Sequence, residues 1–318
     1  CGVAARPPLF FPCGGRESPA AAHTLNAARQ ATACSIAPAC GLFGHTPPAW
    51  RARRPLRGAG RGNAGGSGMS NSILVVGGGF AGLTAAIEAA ELGHDVYIVE
   101  KTPYLGGRVA QLNKYFPKLC PPSCGLEIQF QRIRKNPRIK FFTMAEVTGL
   151  SGTKGDYTVT VKVKPRRVVA RNVDLTLLAS SLEGTVDNDF DFGLSKRKAV
   201  YKSMPFAYPN RFVFDPDALS LSDTARVAAN SYLLPEEPEK ELSLNVGAIV
   251  VATGWKPYDV TRLTNLGAGS VKNCISNMQM ERIAAASGPT GGRIVRPSDG
   301  CRPKSIAFVQ CAGSRDQN

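Results

Sequence analysis

Residues 73–108 read ILVVGGGFAGLTAAIEAAELGHDVYIVEKTPYLGGR, and this stretch decides the fold. Residues 73–76 form a short apolar run bounded by glycine, which is typical of a strand buried on both faces of a parallel sheet. The alanine-rich residues 80–92 predict a helix, and residues 95–99 predict the next strand. A strand, a glycine turn, a helix and a second strand in this order predict a nucleotide-binding unit.

The glycines of the turn have the spacing that a dinucleotide requires. Gly77, Gly79 and Gly82 match G-x-G-x-x-G, which allows a sharp turn, close approach of a pyrophosphate to bare backbone, and close packing of helix on strand. The helix N-terminus offers the phosphates its unpaired N–H groups and positive dipole end. Glu100 ends the second strand eighteen residues beyond Gly82, where its carboxylate can accept hydrogen bonds from both ribose hydroxyls of an adenosine. A glycine turn without a ligand is the alternative, which the accompanying strand, helix and acid disfavour.

Two further motifs resemble those of flavoproteins with two dinucleotide-binding domains. Gly106, Gly107 and Arg108 look like the second glycine motif of that superfamily, and residues 249–254, IVVATG, look like its late strand ending in Ala-Thr-Gly. The resemblance implies FAD rather than NAD. It also implies an α/β fold, with an FAD-binding doubly wound, Rossmann-like sheet and a small antiparallel β layer. The FAD-binding residues that it implies are Gly77, Gly79, Gly82, Glu100, Gly107, Arg108, Val147, Thr253 and Gly254.

Residues 106–147, 190–223 and 303–318 resemble a narrower family, the flavoprotein A subunits of heterodisulfide reductases. They look closer still to the flavoprotein A subunits of the quinone-interacting membrane-bound oxidoreductase complex of sulfate reducers. This resemblance implies an FAD-dependent electron-transfer subunit of a cytoplasmic redox complex in sulfur or energy metabolism. It implies other subunits as partners, including a quinone-linked membrane subunit or adenylylsulfate reductase. No apolar run reaches the ~18 residues of a membrane span, so any attachment to the inner membrane would come through those partners.

Two other functions stay open. A stand-alone NAD(P)H-dependent flavin disulfide reductase would be expected to carry a second complete G-x-G-x-x-G further along the chain, and none follows Gly82 in this sequence. A non-catalytic dinucleotide-binding protein would bind FAD without being reduced by a dithiol or a viologen.

The cysteines divide into a candidate redox pair and a missing cluster motif. Cys120 and Cys124 form a C-x3-C pair. A cysteine pair lies near this position in the relatives, so the resemblance implies redox thiols or cluster ligands. Two ordinary buried cysteines are the alternative. Relatives also carry a C-x2-C-x2-C-x3-C run that binds a [4Fe–4S] cluster after a Pro-Arg motif. Here residues 165–186 follow that motif without any cysteine, and residues 231–242 also depart from the family. Either a reading-frame error or a true loss explains the first departure, and no metal ligands are predicted.

The remaining side chains exclude several kinds of catalysis. Beyond residue 68 the sequence has a single histidine, His94, so Ser–His or Cys–His nucleophilic catalysis is not expected. No His, Asp and Glu cluster has metal-ligand spacing. The reactive group must therefore be a bound cofactor, and no side chain is assigned a catalytic role.

Charge and composition set the first 68 residues apart. The net charge is +15, and residues 1–68 are rich in arginine with Glu17 as their one acid. This segment can be a disordered basic arm, a targeting peptide, or upstream sequence that is not naturally translated; the last is favoured, with Met69 as the start. Because so much of the charge lies there, nucleic acid is not expected as a partner.

Further elements complete the prediction. Residues 109–116 and 126–135 predict helices, residues 138–144 and 305–309 predict strands, and residues 146–163 predict a hairpin turning at 152–155. The predicted organisation is a non-domain tail (1–68), an FAD-binding unit with a small β hairpin (69–164), the aberrant segment (165–186), a family-specific insertion (187–245), and the return of the FAD domain with the start of a truncated next segment (246–318).

Overall fold

A computed structural model describes residues 70–117, 119–169 and 173–311. The predicted tail, 1–68, and the predicted start, Met69, lie outside the described residues. The strands are β1 (Ser72–Val76), β2 (Asp95–Glu100), β3 (Ile139–Thr143), β4 (Ala145–Thr153), β5 (Asp156–Val163), β6 (Thr185–Asp187), β7 (Lys196–Lys198), β8 (Val200–Tyr201), β9 (Val213–Phe214), β10 (Lys240–Val246) and β11 (Ala248–Val251). The α-helices are α1 (Phe80–Glu91), α2 (Pro122–Lys135), α3 (Thr176–Ser181), α4 (Thr224–Ala228) and α5 (Asn277–Ala284).

The main sheet is parallel and four-stranded, with the strand order β11-β1-β2-β3. The chain passes from β1 to β2 on one side and returns to the other side of β1 only at β11. The strand order therefore reverses beside β1, and in open α/β sheets ligands bind at such a switch point, outside the carboxyl ends of the strands. The predicted α/β, Rossmann-like fold is confirmed.

The two faces of the parallel sheet are covered by different layers. Val75 points toward α1 and packs in one buried cluster with Leu83. Leu74, its neighbour in β1, points the other way and packs with Val159 and Val246 of the antiparallel layer. Successive side chains of a strand alternate between faces, so an uninterrupted apolar run such as residues 73–76 needs cover on both sides.

The antiparallel layer is a three-stranded sheet in the order β10-β5-β4. The predicted hairpin of residues 146–163 is confirmed as β4 and β5. The third strand, β10, was not predicted, and it comes from residues assigned to the insertion of 187–245. Its signal is the alternation of apolar Leu242, Leu244 and Val246 with polar residues, which is typical of a half-covered strand.

A separate buried cluster joins the two segments that depart from the family to residues 199–227. Val168 in the first segment forms an antiparallel bridge with Leu233 in the second. Two backbone hydrogen bonds flank it, from Val169 N to Tyr232 O at 2.9 Å and from Leu234 N to Arg167 O at 2.9 Å. Residues 165–186 and 231–242, distant in sequence, therefore contact each other. The buried members of this cluster are Val168, Leu175, Leu182, Ala199, Val200, Phe212, Phe214, Ala218, Val227 and Leu233.

Two predicted elements are wrong. Residues 109–116 do not form a helix: a 3-10 helix spans Gly107–Gln111, and the N–H of Asn113 then donates to Glu281 Oε2 at 2.8 Å instead of continuing a helical series. Residues 305–309 do not form a strand. No described strand lies beside them to complete a ladder, and Ile306 and Phe308 are exposed.

None of the helices in the described ranges combines the length and the apolar character needed to cross a lipid bilayer.

Candidate functional site

The first glycine of the turn meets the end of β11. Gly77 has φ +110°, and a Cβ added to it would lie 2.3 Å from the carbonyl oxygen of Ala252. Ala252 N donates to Val76 O at 2.8 Å, so the β11 end is held against the β1 end. The structure thus brings the first glycine motif and the Ala-Thr-Gly motif together at the switch point.

The third glycine lets α1 approach the turn. A Cβ on Gly82 would lie 1.9 Å from the carbonyl oxygen of Gly77, far inside van der Waals contact. Only glycine permits this packing of helix on strand, as the G-x-G-x-x-G spacing predicts.

The second glycine of the motif, Gly79, leaves space rather than filling it. Gly79 is the N-cap of α1, with no side-chain cap and no acidic residue in the first helical turn. A Cβ built on it would contact only the Cα of Gly107, at 3.9 Å. The helix N-terminus therefore keeps its positive dipole end open to an anion, which fits the diphosphate of a dinucleotide.

The second glycine motif lies directly against the first. Gly106 N donates to Gly78 O at 2.8 Å, and a Cβ on Gly107 would lie 2.9 Å from the Cα of Gly79. Gly106 and Gly107 both have positive φ, 112° and 56°, which favours glycine at each position. The side chain of the next residue, Arg108, donates to Gln111 Oε1 at 3.0 Å and lies over the Phe192 ring, 5.6 Å from its centroid.

Glu100 links the end of β2 to the glycine turn. Its Oε2 accepts from Gly78 N at 2.6 Å, and its Oε1 accepts from the N–H and the hydroxyl of Thr102 at 2.8 and 2.9 Å. A carboxylate has about four acceptor positions, so these bonds leave one on Oε2 for a ribose hydroxyl. Glu100 is 8% exposed, so its loss would leave the buried N–H of Gly78 without its acceptor, at a cost to the turn.

The other predicted FAD-binding residues are Val147, Thr253 and Gly254, and all three are exposed at the edge of the glycine-motif region. Val147 pairs with Val161 across the antiparallel sheet, next to a register shift in β4, and is 36% exposed. Thr253 and Gly254 follow β11 and are exposed. Gly254 has φ +69° with no atom within 4 Å of an added Cβ, so its glycine serves the backbone conformation alone.

The two candidate thiols flank the start of α2, the helix whose Leu126 packs on the second glycine motif. The carbonyl oxygen of Cys120 accepts from Tyr115 N at 3.2 Å, and Cys124 is exposed in the first turn of α2. Two residues further along α2, Leu126 packs on Gly106, with its Cδ1 2.9 Å from an added Cβ. Neither cysteine forms a disulfide.

Residues 165–186 do not fit an iron–sulfur cluster. A cluster needs thiolate ligands, and this segment has none. Its described part instead buries Leu175 and Leu182, 3% and 2% exposed, in an apolar cluster. Within residues 70–117, 119–169 and 173–311, no group of three or more His, Cys, Asp and Glu side chains could hold a metal ion.

Arg166 anchors the start of this segment to the carboxyl edge of the parallel sheet. Its Nη2 donates to the hydroxyl of Thr143, at the end of β3, at 2.7 Å, and to the carbonyl oxygen of Pro103. Burial, together with the nearby charge of Arg211, lowers the pKa of Arg166 to about 10. The guanidinium therefore remains charged at neutral pH and acts as a structural donor.

Sequence reasoning missed the buried residues that support Arg108 of the second glycine motif. Gln111 and Arg282 are both buried, and Arg282 Nε donates to Asp191 Oδ1 at 2.8 Å. Asp191 also lines a cavity of about 400 Å³ together with Phe190 and Lys202. These residues are separated by tens of positions and share no motif, so no local pattern could identify them.

Comparison with known proteins shows one matching family model and several similar proteins. Residues 72–118 match the family model described as FAD dependent oxidoreductase. One iron-sulfur A subunit of the CoB–CoM heterodisulfide reductase of Methanopyrus kandleri, its second, is 39% identical over 78% of this chain and 38% of its own length. The A subunit of the ferredoxin/F(420)H(2)-dependent CoB–CoM heterodisulfide reductase of Methanosarcina acetivorans is 37% identical over 78% of this chain and 32% of its own.

A third relative shows the same extent of similarity. The iron-sulfur A subunit of the CoB–CoM heterodisulfide reductase of Methanocaldococcus jannaschii is 35% identical over 78% of this chain. The chain spans 38% of the length of that protein. The similarity thus covers most of this chain and less than half of each relative.

Proposed function

Because this chain is a homologue of the heterodisulfide reductase A subunits and carries an FAD-dependent oxidoreductase domain, we propose that it is the FAD-binding electron-transfer subunit of a multi-subunit redox complex. One observation carries this proposal. The two glycine motifs approach so closely at Gly79 and Gly107 that both present bare backbone to the same space at the switch point.

Each group of binding residues holds a different part of the FAD. The turn of Gly77, Gly79 and Gly82, at the N-terminus of α1, binds the diphosphate. Glu100 accepts a hydrogen bond from the adenosine ribose, and Val147 lies beside the adenine. Gly107, Arg108, Thr253 and Gly254 contact the remaining part of the FAD. When bound, FAD supplies the redox chemistry, taking electrons as hydride or singly, while these residues hold and orient it.

Cys120 and Cys124 are proposed as redox thiols of this protein. Their support is the packing of α2 on Gly106, which keeps the start of the helix beside the second glycine motif. Cys124 lies in the first turn of α2 with its side chain exposed, which gives a reaction partner access to the thiol. The substrate class that suits such a pair is a disulfide or its dithiol.

The partners are proposed from the resemblance to the quinone-interacting oxidoreductase. Electrons would pass between a cytoplasmic sulfur enzyme such as adenylylsulfate reductase and a quinone-linked membrane subunit, with this protein on the cytoplasmic face. No step is assigned to an iron–sulfur cluster in residues 165–186, because their side chains do not fit one.

The test begins with the purified full chain. We expect stoichiometric FAD after reconstitution, with oxidised-flavin absorbance near ~450 nm that bleaches on reduction by a dithiol or a reduced viologen. A folded but colourless protein that does not take up FAD would contradict the proposal. A protein that holds FAD but is reduced by neither donor would instead support the non-catalytic alternative.

A further inference from the structure

Arg282 on α5 is a charged side chain with only 1% of its surface exposed. Its Nε donates to Asp191 Oδ1 at 2.8 Å, its Nη2 donates to Ser287 O at 3.1 Å, and its guanidinium lies 4.6 Å from the centroid of the Phe190 ring. Desolvation of both charges offsets much of the attraction in such a buried pair, so the pair by itself is weak evidence for stability. The role of the Arg282–Asp191 pair therefore depends on which other groups the guanidinium holds in place.

The third nitrogen of Arg282 reaches the end of the 3-10 helix that begins at Gly107 of the second glycine motif. Nη1 donates at 3.4 Å to the carbonyl oxygen of Gln111, the last residue of the 3-10 helix Gly107–Gln111. The side chain of Gln111 then makes two bonds: Nε2 donates to Phe190 O at 3.1 Å, and Oε1 accepts from Arg108 Nη1 at 3.0 Å. An unbroken series of contacts therefore joins Asp191, through Arg282 and Gln111, to Arg108.

A second contact from α5 strengthens the same attachment. Glu281, adjacent to Arg282, accepts a hydrogen bond from Asn113 N at 2.8 Å, just beyond the 3-10 helix. Both carboxylate oxygens of Asp191 are also held, since Oδ2 accepts from the Ser195 hydroxyl and from Asn188 Nδ2 at 3.1 Å. Asp191 is thus held through both of its oxygens, and α5 contacts the chain at the end of the 3-10 helix Gly107–Gln111.

We propose that Arg282 is a positioning residue for the flavin, which acts through Gln111 to fix Arg108 and the turn of Gly107–Gln111 against the cofactor. The inference rests on the proposed function, in which Gly107 and Arg108 follow the FAD. A protein tunes a flavin through the dipoles and charges that surround its ring system, so a loosened turn changes the reduction potential of the flavin as well as its affinity.

The test uses the reconstituted full chain and three substitutions. Arg282→Lys keeps the charge but loses the planar fork that reaches three partners. Gln111→Ala keeps the Arg282–Asp191 pair and removes the link to Arg108. The matched control is Arg197→Lys, since Arg197 also pairs with an aspartate, Asp215 at 2.7 Å, but lies over Tyr201 in the insertion.

We expect Arg282→Lys and Gln111→Ala each to weaken FAD binding by about tenfold and to shift the midpoint potential and the visible spectrum of the bound flavin in the same direction. Their combined effect should be less than additive, because both break one series of contacts. Arg197→Lys should leave the potential and the spectrum unchanged.

A folded Arg282→Lys protein with the potential and spectrum of the original would overturn the inference, and so would additive effects of the two substitutions. If Arg282→Lys does not fold, an unchanged potential in Gln111→Ala overturns it equally. Failure of the proposed function has a different signature, since the unsubstituted chain would then take up no FAD.

Discussion

Gly107 lies so close to Gly79 that a Cβ added to Gly107 would sit 2.9 Å from the Cα of Gly79, although 28 positions separate them in the chain. The left-handed backbone of Gly107, with φ +56°, reinforces the requirement for glycine. The two residues together form a backbone-only surface at the N-terminus of α1. A side chain at Gly107 would collide with the backbone of Gly79, whereas the open space beside Gly79 is the proposed place of the cofactor diphosphate.

Substitutions of two glycines in the first motif should have different effects. In Gly79→Ala the new Cβ contacts only Gly107 Cα, at 3.9 Å, and the backbone, φ −75° and ψ −179°, is allowed for alanine. We expect FAD affinity to fall more than about tenfold, with the unfolding free energy changed by less than about 1 kcal/mol. In Gly82→Ala the Cβ would lie 1.9 Å from Gly77 O, so α1 must shift, at a cost of about 1–3 kcal/mol.

Urea unfolding without FAD and fluorescence titration with FAD separate the two effects. Full FAD affinity in a folded Gly79→Ala protein would show that the space at Gly79 is not used by the cofactor.

Replacing the carboxylate of Glu100 should weaken both the turn and the adenosine site. Glu100→Gln turns an amide donor toward either Gly78 N–H or Thr102 N–H, which are both donors themselves. We expect a loss of about 1–3 kcal/mol in unfolding free energy and weaker FAD binding. The matched control is Glu146→Gln on β4, whose exposed pairing with Lys101 at 3.5 Å should be worth less than about 1 kcal/mol. Equal effects of the two substitutions would contradict the assigned role.

If Cys120 and Cys124 are redox thiols, replacing them should change the number of electrons that the protein accepts and leave its FAD content unchanged. In the double variant Cys120→Ser and Cys124→Ser, FAD binding should be retained. The oxidised protein should accept about two fewer electrons per FAD in an anaerobic dithionite titration, because a disulfide is a two-electron couple. Cys274→Ser is the control, since Cys274 is also exposed but its Sγ donates to Leu266 O at 3.5 Å. An unchanged electron count in the double variant would exclude the pair.

Asp223 should make the stability of the protein sensitive to acid. Burial by itself raises the pKa of Asp223, but donation from the backbone of Glu183 and Gly184, each at 2.8 Å, and from Ser220 outweighs it and lowers the pKa well below its usual value. A carboxyl with a lowered folded-state pKa stabilises the protein above its unfolded pKa, and this stability is lost as the pH falls toward the folded value.

We therefore expect Asp223→Asn to be less stable than the original at pH 7, and the difference to shrink from about pH 5 downward. Urea unfolding at several pH values measures it, with the exposed Asp217→Asn as control. A difference that stays constant down to about pH 2 would refute the role of the ionised carboxylate.

The packing of residues 165–186 can be tested within the segment itself. Leu182 is 2% exposed and belongs to the cluster with Val168 and Leu233, whereas Leu177 is 85% exposed. Leu182→Ala should lower the unfolding free energy by about 2–5 kcal/mol, and Leu177→Ala should change it by less than about 0.5 kcal/mol. Equal, small effects would mean that this segment does not form the buried cluster.

The sequence by itself determined the strand, turn and helix of residues 73–100 and the hairpin of β4 and β5. These elements follow from local periods in the sequence, and the requirement for glycine at the turn can be recognised from spacing alone. It also showed that residues 165–186 lack cysteine, which is a matter of composition. β10 also carries the alternation of a half-covered strand, but neither this strand nor its place beside β5 was predicted.

Only the tertiary structure decided which distant residues meet. The contact of Gly77 with Ala252, the support of Gln111 by Arg282, and the bridge between Val168 and Leu233 join positions that share no local signature. The helix predicted for residues 109–116 failed for the same reason, because Glu281, far along the chain, takes the N–H of Asn113. Local patterns set which elements can form, whereas side-chain packing and hydrogen bonds between elements fix the geometry of the site.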